Sequence, residues 1–223
     1  MSTFNEAAGL VPKTTAVNSQ QRTALSLLLK RAMDILGSTT LLLITWPLFL
    51  VIALAVKLDS PGPVLFRRRV AGQHGKLFDV LKFRSMVANA HELLLRDPEL
   101  LERYRESLKI ENDPRITRIG RFLRKTSLDE LPQLANVLRG EMSLVGPRML
   151  GDIEFARYAG AAEKLLMVKP GMASLWAVAG RHTVSFDRRV ELDLDYVENW
   201  SISGDMKILL KCAITVLSMV GAK

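Results

Sequence analysis

The stretch Ile35–Val56, ILGSTTLLLITWPLFLVIALAV, carries no charged residue. At about 1.5 Å per residue it reaches roughly 33 Å as a straight helix, long enough to cross a bilayer. Pro47, near its middle, removes a backbone hydrogen bond and strains against the carbonyl of Leu43, so a kink or break is expected at Trp46 and Pro47. The flanks are basic on both sides, with Arg22, Lys30 and Arg31 before the run and Lys57, Arg67, Arg68 and Arg69 after it. Both ends therefore prefer the cytoplasm, which a single straight span cannot satisfy. Residues 25–59 thus predict a re-entrant helix-break-helix that dips into one leaflet. Pattern alone leaves an ordinary single-pass anchor as the alternative.

Outward from this segment the character of the chain changes. Residues 1–24 are polar and aperiodic, without the basic and apolar regions of a signal peptide, and read as a flexible tail. After Asp59-Ser60-Pro61-Gly62-Pro63, residues 60–223 read as a small cytosolic domain. Val64 to Val70 and Leu77 to Phe83 predict two short strands around Gly72-Gln73-His74-Gly75, a β-hairpin. Val87 to Lys109 predicts two amphipathic helices parted at Asp97-Pro98, an N-cap followed by proline at the first helical position. Their leucines suit either a core or a lipid interface. Asp205 to Val220 predicts a further helix, with Lys207 and Lys211 one turn apart on an otherwise apolar surface. The expected fold class is α+β and mainly helical: a membrane hairpin, a short β-hairpin and interfacial amphipathic helices.

The composition bounds the function. With 223 residues the chain holds one domain with a core plus a membrane element. Its net charge of +8 suits an anionic membrane surface, phosphorylated substrates or nucleic acid. No helix-turn-helix, zinc finger or aromatic RNA platform supports the last of these, so no nucleic acid partner is expected. Cys212 is the only cysteine, which excludes an internal disulfide and cysteine-rich zinc sites, and His74, His91 and His182 are too scattered to suggest a metal cluster.

The chemistry concentrates in Arg124-Lys125-Thr126-Ser127-Leu128-Asp129-Glu130-Leu131-Pro132-Gln133-Leu134. Ser127 and Glu130 have the spacing of a capping box, and Pro132 is tolerated near a helix N-terminus. Asp129 and Glu130 are therefore expected at the positive end of a helix dipole, where phosphate also binds. Acidic residues in a first helical turn are ordinarily just stabilising. Here Arg115, Arg118, Arg121 and Arg124 recur every third residue ahead of the pair, a row that is a solvated face in most proteins but that leads to the dyad in this one. A second basic element follows in Gly146-Pro147-Arg148, where a Gly-Pro loop presents an arginine. A carboxylate placed against phosphate suggests a nucleophile for phosphoryl transfer.

At these residues the chain resembles the bacterial sugar transferases, also called monotopic phosphoglycosyl transferases. The resemblance runs from about Lys30 to the C-terminus through Lys30 to Asp34, Gly62 to Phe66, Lys82 to Met86, Ser127 to Leu134, Met142 to Arg148, Lys169-Pro170-Gly171, Gly180-Arg181, Glu191 to Asp193 and Tyr196 to Trp200. It is nearest to the small exopolysaccharide-initiating members. The resemblance implies a re-entrant topology, and a phosphoglycosyl transferase on the cytoplasmic face of a bacterial inner membrane that moves a sugar 1-phosphate from a UDP-sugar to undecaprenyl phosphate. It assigns Asp129 as nucleophile, forming an aspartyl phosphosugar and releasing UMP, and Glu130 to the metal. An Asp-Glu pair facing a pyrophosphate calls for Mg²⁺, arginines or both, because the attacking carboxylate is otherwise repelled. Arg124 and Arg148, the latter presented by Pro147, match phosphate-engaging positions, and a guanidinium suits them as a fixed fork of donors.

Other positions carry alternatives. Lys30 and Arg31 lie where the hairpin meets water, suited to a lipid phosphate or to snorkelling, with Asp34 placed to pair with them. Lys82 and Arg84 fit the substrate site or a solvated strand edge. Asp193 matches an acidic position near the site, while Glu191, Asp195 and Glu198 make an acidic helix face its rival. The family's second proline is replaced by Met149, and Ala173 and Ala177 stand where polar side chains are usual, which bears on substrate specificity. Inner-membrane lipids are expected partners; a homo-oligomer and downstream glycosyltransferases stay open. The rival function is a membrane-tethered scaffold that binds lipid phosphate without turnover.

Overall fold

The computed structural model describes residues 22–107, 110–151, 155, 157, 158, 160–180 and 184–217. The expected tail through residue 21, Lys109, Arg181, His182 and the expected end of the last helix at Val220 lie outside the described residues. The architecture is mainly helical α+β. A long apolar helix α1 (Ala24–Asp59) leads into a hairpin of β1 (Leu65–Ala71) and β2 (Leu77–Phe83). There follow α2 (Ala90–Arg96), α3 (Pro98–Ser107), α4 (Arg118–Thr126), α5 (Gln133–Arg139), β3 (Ser143–Val145), α6 (Ala161–Leu165), β4 (Gly171–Ala173), α7 (Leu175–Val178), α8 (Phe186–Glu198) and α9 (Ile202–Leu217). The hairpin, the α2–α3 break and the last helix match the sequence reading. The parallel pair β3–β4, with Ser143 opposite Gly171 and Val145 opposite Ala173, was not anticipated.

Of the expected kink or break at Pro47, a break is absent: α1 stays helical through it for 36 residues. An interior proline costs a helix about 3 kcal/mol. The remaining backbone bonds of so long a helix hold it together across that one gap. The helix is apolar and long enough to span a membrane. Leu36, Leu43, Ile44, Leu50 and Leu54 along it are each more than 60% exposed, a surface that fits membrane association.

Two compact units divide the chain. One comprises Thr45–Phe66 and Lys82–Leu131. Its core joins Ile52 and Val56 of α1 to Phe83 and Leu123, with Phe49 edge-on to Phe83 at 5.2 Å. Arg84 is buried and donates to the carbonyls of Val56, Ser60 and Pro61 at 3.2, 2.6 and 2.6 Å, satisfying acceptors left open where α1 ends. Asp59 accepts from the N–H of Ile119 at 3.0 Å, and Thr117 caps α4 through Gly120 at 3.0 Å. Gly120 packs so tightly on the backbone of Ser85 that a Cβ has no room. Leu94, Leu100 and Ile110 form a satellite core, with Asp97 capping α3 through the N–H of Leu100 at 3.0 Å. The α2–α3 leucines thus divide: Leu94 and Leu100 are core, while Leu93 and Leu95 are exposed.

The other unit takes the chain up to Ile44, Arg67–Leu81 and everything from Pro132 on. Asp34 of α1 accepts from the hydroxyl of Ser143 and the N–H of Leu144, both at 2.9 Å, and so docks β3. Asn136 pairs with the β2 backbone, accepting from Leu81 N–H at 3.0 Å and donating to Asp79 carbonyl at 2.8 Å. Lys30 reaches Asp205 at 2.8 Å and the carbonyl of Val145 at 2.9 Å, while Tyr196 and Trp200 donate to the same Asp205. This buried network ties α1, β3, α8 and α9 together.

Candidate active site

The dyad lies on a single 3₁₀ turn, Leu128–Glu130, between α4 and α5. The capping box does not form. Ser127 has φ 59°, left-handed, and closes the C-terminus of α4, its N–H reaching the carbonyls of Arg124 and Leu123. A residue in that conformation cannot act as an N-cap, which needs extended backbone. The next helix starts only at Gln133, so Pro132 does sit at a helix entrance, with the dyad ahead of it rather than in its first turn.

Asp129 is 8% exposed. Burial pushes its carboxyl up to about 6; Lys82 opposes this, Glu130 adds to it and Arg124 opposes it. Its carboxylate accepts from its own backbone N–H. Glu130 binds the ammonium of Lys82 at 2.7 Å, so the structure brings Lys82 of β2 into the dyad. Arg118, Arg121 and Arg124 line the exposed side of α4. Arg115 does not join that row, because it precedes the helix and is buried in an ion pair with Asp113 at 2.6 Å. Arg84 lies neither at a solvated edge nor among the dyad's side chains, since its guanidinium is committed to the end of α1.

Among the described residues no cluster of three or more His, Cys, Asp or Glu side chains could hold a metal. Mg²⁺ needs no such cluster, as one or two carboxylates with substrate phosphates and waters complete its octahedron. The Asp129–Glu130 donor set fits that ion in kind: two adjacent carboxylates, one of them raised by burial beside the other's charge.

A second constellation lies in the unit that contains α8. Asp193 is fully buried on the face of α8 shared with Leu192, Tyr196 and Val197, whereas Glu191, Asp195 and Glu198 are exposed. The acidic face therefore excludes Asp193. Its carboxylate accepts from the hydroxyl of Tyr158 at 3.0 Å and from the N–H of Arg148 at 3.4 Å. Burial raises its carboxyl to about 6, against the opposing hydrogen bond from Tyr158 and the nearby Arg189 and Arg148. The Arg148 guanidinium lies 5.4 Å from the ring centre of Trp176, and Arg189 lies 5.0 Å from the same ring. Pro147 is buried and accepts from Gly171 N–H at 2.8 Å, which anchors the loop despite Met149, itself a buried side chain. Ala173 is buried in β4 and Ala177 is half-buried on α7.

Lys30 and Arg31 are both held by partners within the protein. Lys30 is 14% exposed in its ion pairs with Asp205 and, at 3.8 Å, Asp34. Arg31 donates to the carbonyls of Val137 and Leu138 at 2.7 Å each, closing α5 beside Gly140, whose φ of 80° ends that helix. Trp46 and Pro47 are exposed on α1. Sequence reasoning missed Tyr158, Trp176 and Arg189. A helical projection of Phe186–Glu198, separating Asp193 from its acidic neighbours and placing Arg189 one turn before it, could have pointed to the last.

A family model described as bacterial sugar transferase matches residues 25–219. The chain belongs to the bacterial sugar transferase family. Over 198 residues it is 48% identical to the undecaprenyl-phosphate galactose phosphotransferase of Salmonella typhimurium, covering 87% of this chain and 41% of that protein. It is 44% identical over 186 residues to the exopolysaccharide production protein ExoY of Rhizobium meliloti, covering 82% of each. It is 42% identical over 190 residues to the UDP-glucose:undecaprenyl-phosphate glucose-1-phosphate transferase of Escherichia coli, covering 82% of this chain and 39% of that protein. The chain thus spans about two-fifths of the length of the Salmonella and Escherichia proteins.

Proposed function

We propose that this chain transfers a sugar 1-phosphate from a UDP-sugar to undecaprenyl phosphate, initiating exopolysaccharide synthesis at the cytoplasmic face of a bacterial inner membrane. The observation that carries this is Asp129, buried and raised toward neutrality, beside a Glu130–Lys82 pair and the field of Arg124. The names of the Salmonella, Rhizobium and Escherichia relatives support the substrate classes and the pathway.

In this reading an Asp129 carboxylate oxygen attacks the phosphorus that bears the sugar. The bond from that phosphorus to the bridging oxygen breaks, and UMP leaves with the oxygen. An oxygen of undecaprenyl phosphate then attacks the same phosphorus and displaces Asp129, giving undecaprenyl diphosphosugar and restoring the carboxylate. Splitting the transfer into two displacements predicts ping-pong kinetics. Arg124 neutralises phosphate charge beside the dyad, Arg148 is a separate phosphate-engaging position, and Glu130 with Asp129 would hold Mg²⁺. When bound, that ion offsets the negative charge which repels the attacking carboxylate. Lys82 orients Glu130 through their ion pair. Helix α1 anchors the chain, and its two basic flanks favour a re-entrant course with both ends on the cytoplasmic side.

The test is UMP release from a panel of UDP-sugars by nanodisc-embedded protein with Mg²⁺ and undecaprenyl phosphate, comparing wild type with Asp129→Asn. Release from a particular sugar that disappears in the variant is expected. Folded, inserted protein that releases UMP from none of them would overturn the enzyme reading in favour of a lipid-phosphate-binding scaffold.

A further inference from the structure

Lys169 lies two residues before β4, and the backbone beside it is fixed where the N–H of Ser143 donates to the carbonyl of Pro170 at 2.9 Å. Its side chain is half-buried, and among the described residues its ammonium has no carboxylate or hydrogen-bond acceptor as a partner. Burial holds that ammonium below the usual lysine range; Arg31 lowers it further, Asp34 opposes this and Lys30 adds to the lowering. The acids of the neighbourhood are engaged elsewhere. Asp34 accepts from Ser143 and Leu144, Asp205 holds Lys30 at 2.8 Å, and Glu141 accepts from Asn136 at 2.7 Å. Lys169 and Arg31 therefore stand as like charges side by side, partly out of water, an arrangement that an anion would relieve.

The gap between them has the size of such an anion. Gly140, whose φ of 80° closes α5, lies beside it, and a Cβ placed there would have as its nearest neighbours Lys169 Nζ at 3.5 Å and Arg31 Nη2 at 3.6 Å. The two nitrogens are thus no more than about 7 Å apart, a distance that one phosphate closes with two oxygens, each about 2.8 Å from its donor. Arg31 uses one N–H of each amino nitrogen on the carbonyls of Val137 and Leu138, and the rest of the guanidinium's five donors stay unengaged among the described residues. One turn before Arg31 on α1, Leu27 and Leu28 are 49% and 67% exposed. An apolar surface thus borders the cations, which suits a phosphate that carries a hydrocarbon chain better than a free ion. All of these residues belong to one compact unit.

We propose that Arg31 and Lys169 bracket the phosphate of a membrane lipid beside Gly140, forming a structural lipid site that neutralises the cation pair and ties the start of α1 to the end of α5 and the entrance of β4. The site is independent of the reaction proposed above, since neither the dyad nor a sugar donor enters it.

The test titrates the full chain in detergent micelles with dioleoyl phosphatidic acid and, separately, with inorganic phosphate, counting bound lipid by native mass spectrometry and recording thermal midpoints. One phosphatidic acid is expected to stay bound and to raise the midpoint, at a concentration at least about tenfold below the inorganic phosphate that gives the same rise. Lys169→Gln is expected to weaken lipid binding about tenfold, the scale of one charge-assisted hydrogen bond. Gly140→Asn keeps both cations and the left-handed cap, which asparagine tolerates, but puts a side chain into the gap; it is expected to weaken binding about as much. Lys207→Gln, which removes an exposed lysine of α9 in the same unit, is expected to change binding less than about twofold. Lipid binding unchanged by Lys169→Gln and Gly140→Asn in folded protein, or weakened as much by Lys207→Gln, would overturn the site. Inorganic phosphate as effective as phosphatidic acid would overturn the lipid as its occupant and leave a free-ion site.

Discussion

Asp129 and Asp193 are both buried carboxylates raised to about 6 by desolvation, yet they are built in opposite ways. Asp193 sits on a regular helix with each oxygen taken up by a protein donor. Asp129 sits on one 3₁₀ turn that begins at a strained left-handed serine, receives a bond from its own backbone N–H, and feels its cations at longer range. A carboxylate whose lone pairs are committed can hold other groups still but cannot attack. One that is desolvated and surrounded by charge, with its oxygens uncommitted to neighbouring donors, keeps its nucleophilicity for a substrate. Equal pKa values therefore conceal different jobs, and hydrogen-bond partners separate them.

The sharpest way to break this comparison is turnover. Asp129→Asn is expected to lower UMP release by about a thousandfold or more, because an amide oxygen is a poor nucleophile and no neighbouring carboxylate occupies its place. Asp193→Asn is expected to leave kcat within about threefold, because both its oxygens are committed to Tyr158 and Arg148 and take no part in the displacement. Steady-state kinetics over a range of UDP-sugar concentrations checks both. If Asp193→Asn abolished kcat as completely as Asp129→Asn, the division between attacking and structural carboxylates would fail.

The two constellations also differ in how far residues announce them. The dyad is legible because Asp129-Glu130 beside Pro132 and several arginines is unusual chemistry in a short run. Its backbone was not, because Ser127-x-x-Glu130 fits a capping box equally well. Only the docking of α4 through Gly120 and Thr117 decides that Ser127 ends one helix rather than starting another. The hairpin and the break at Asp97-Pro98 follow from local turn and cap chemistry and appear where expected. Strands β3 and β4 have three residues each and pair across a long separation, so no local periodicity marks them. Sequence leaves Arg84 between the substrate site and a strand edge because its partners are backbone carbonyls at the end of α1, and carbonyls leave no trace in sequence. Asp193 drew attention through family likeness, but its partners Tyr158, Arg189 and Trp176 come from separate segments that only tertiary structure gathers.

Stability against pH sharpens the comparison in a second way. A carboxyl whose folded pKa is raised to about 6 keeps its proton in the folded protein between about pH 4 and 6, where the unfolded chain has released it. Its contribution is complete below pH 4, fades as pH rises through 6, and is a net cost above that. For Asp129 the ceiling of that cost is about 3 kcal/mol, from roughly two units of displacement. In chelator, Asp129→Asn is therefore expected to raise stability by about 1–3 kcal/mol at pH 8 and to change it little at about pH 3.5. Asp193→Asn relieves the same charge but weakens two hydrogen bonds, so its gain at pH 8 is expected to be near zero or negative. Thermal unfolding of both variants at the two pH values checks this, and identical gains would show that the Asp193 bonds carry no weight.

The smallest effects are expected from the partners rather than the carboxylates themselves. The Lys82–Glu130 pair leaves both side chains between a fifth and a third exposed, and such pairs stabilise proteins by less than about 1 kcal/mol. Lys82→Met should therefore barely move the thermal midpoint while lowering turnover about tenfold, because Glu130 loses the cation that fixes it beside the nucleophile. Tyr158→Phe should do the reverse: the buried Asp193 loses a donor, at a cost of about 1–3 kcal/mol in stability, and saturated turnover stays near wild type. Measured together by thermal unfolding and kinetics, the two variants separate a turn whose contacts serve a reaction from a helix face whose contacts serve a shape. If Lys82→Met destabilised the protein as much as Tyr158→Phe, the dyad would have to be regarded as part of the core that surrounds it.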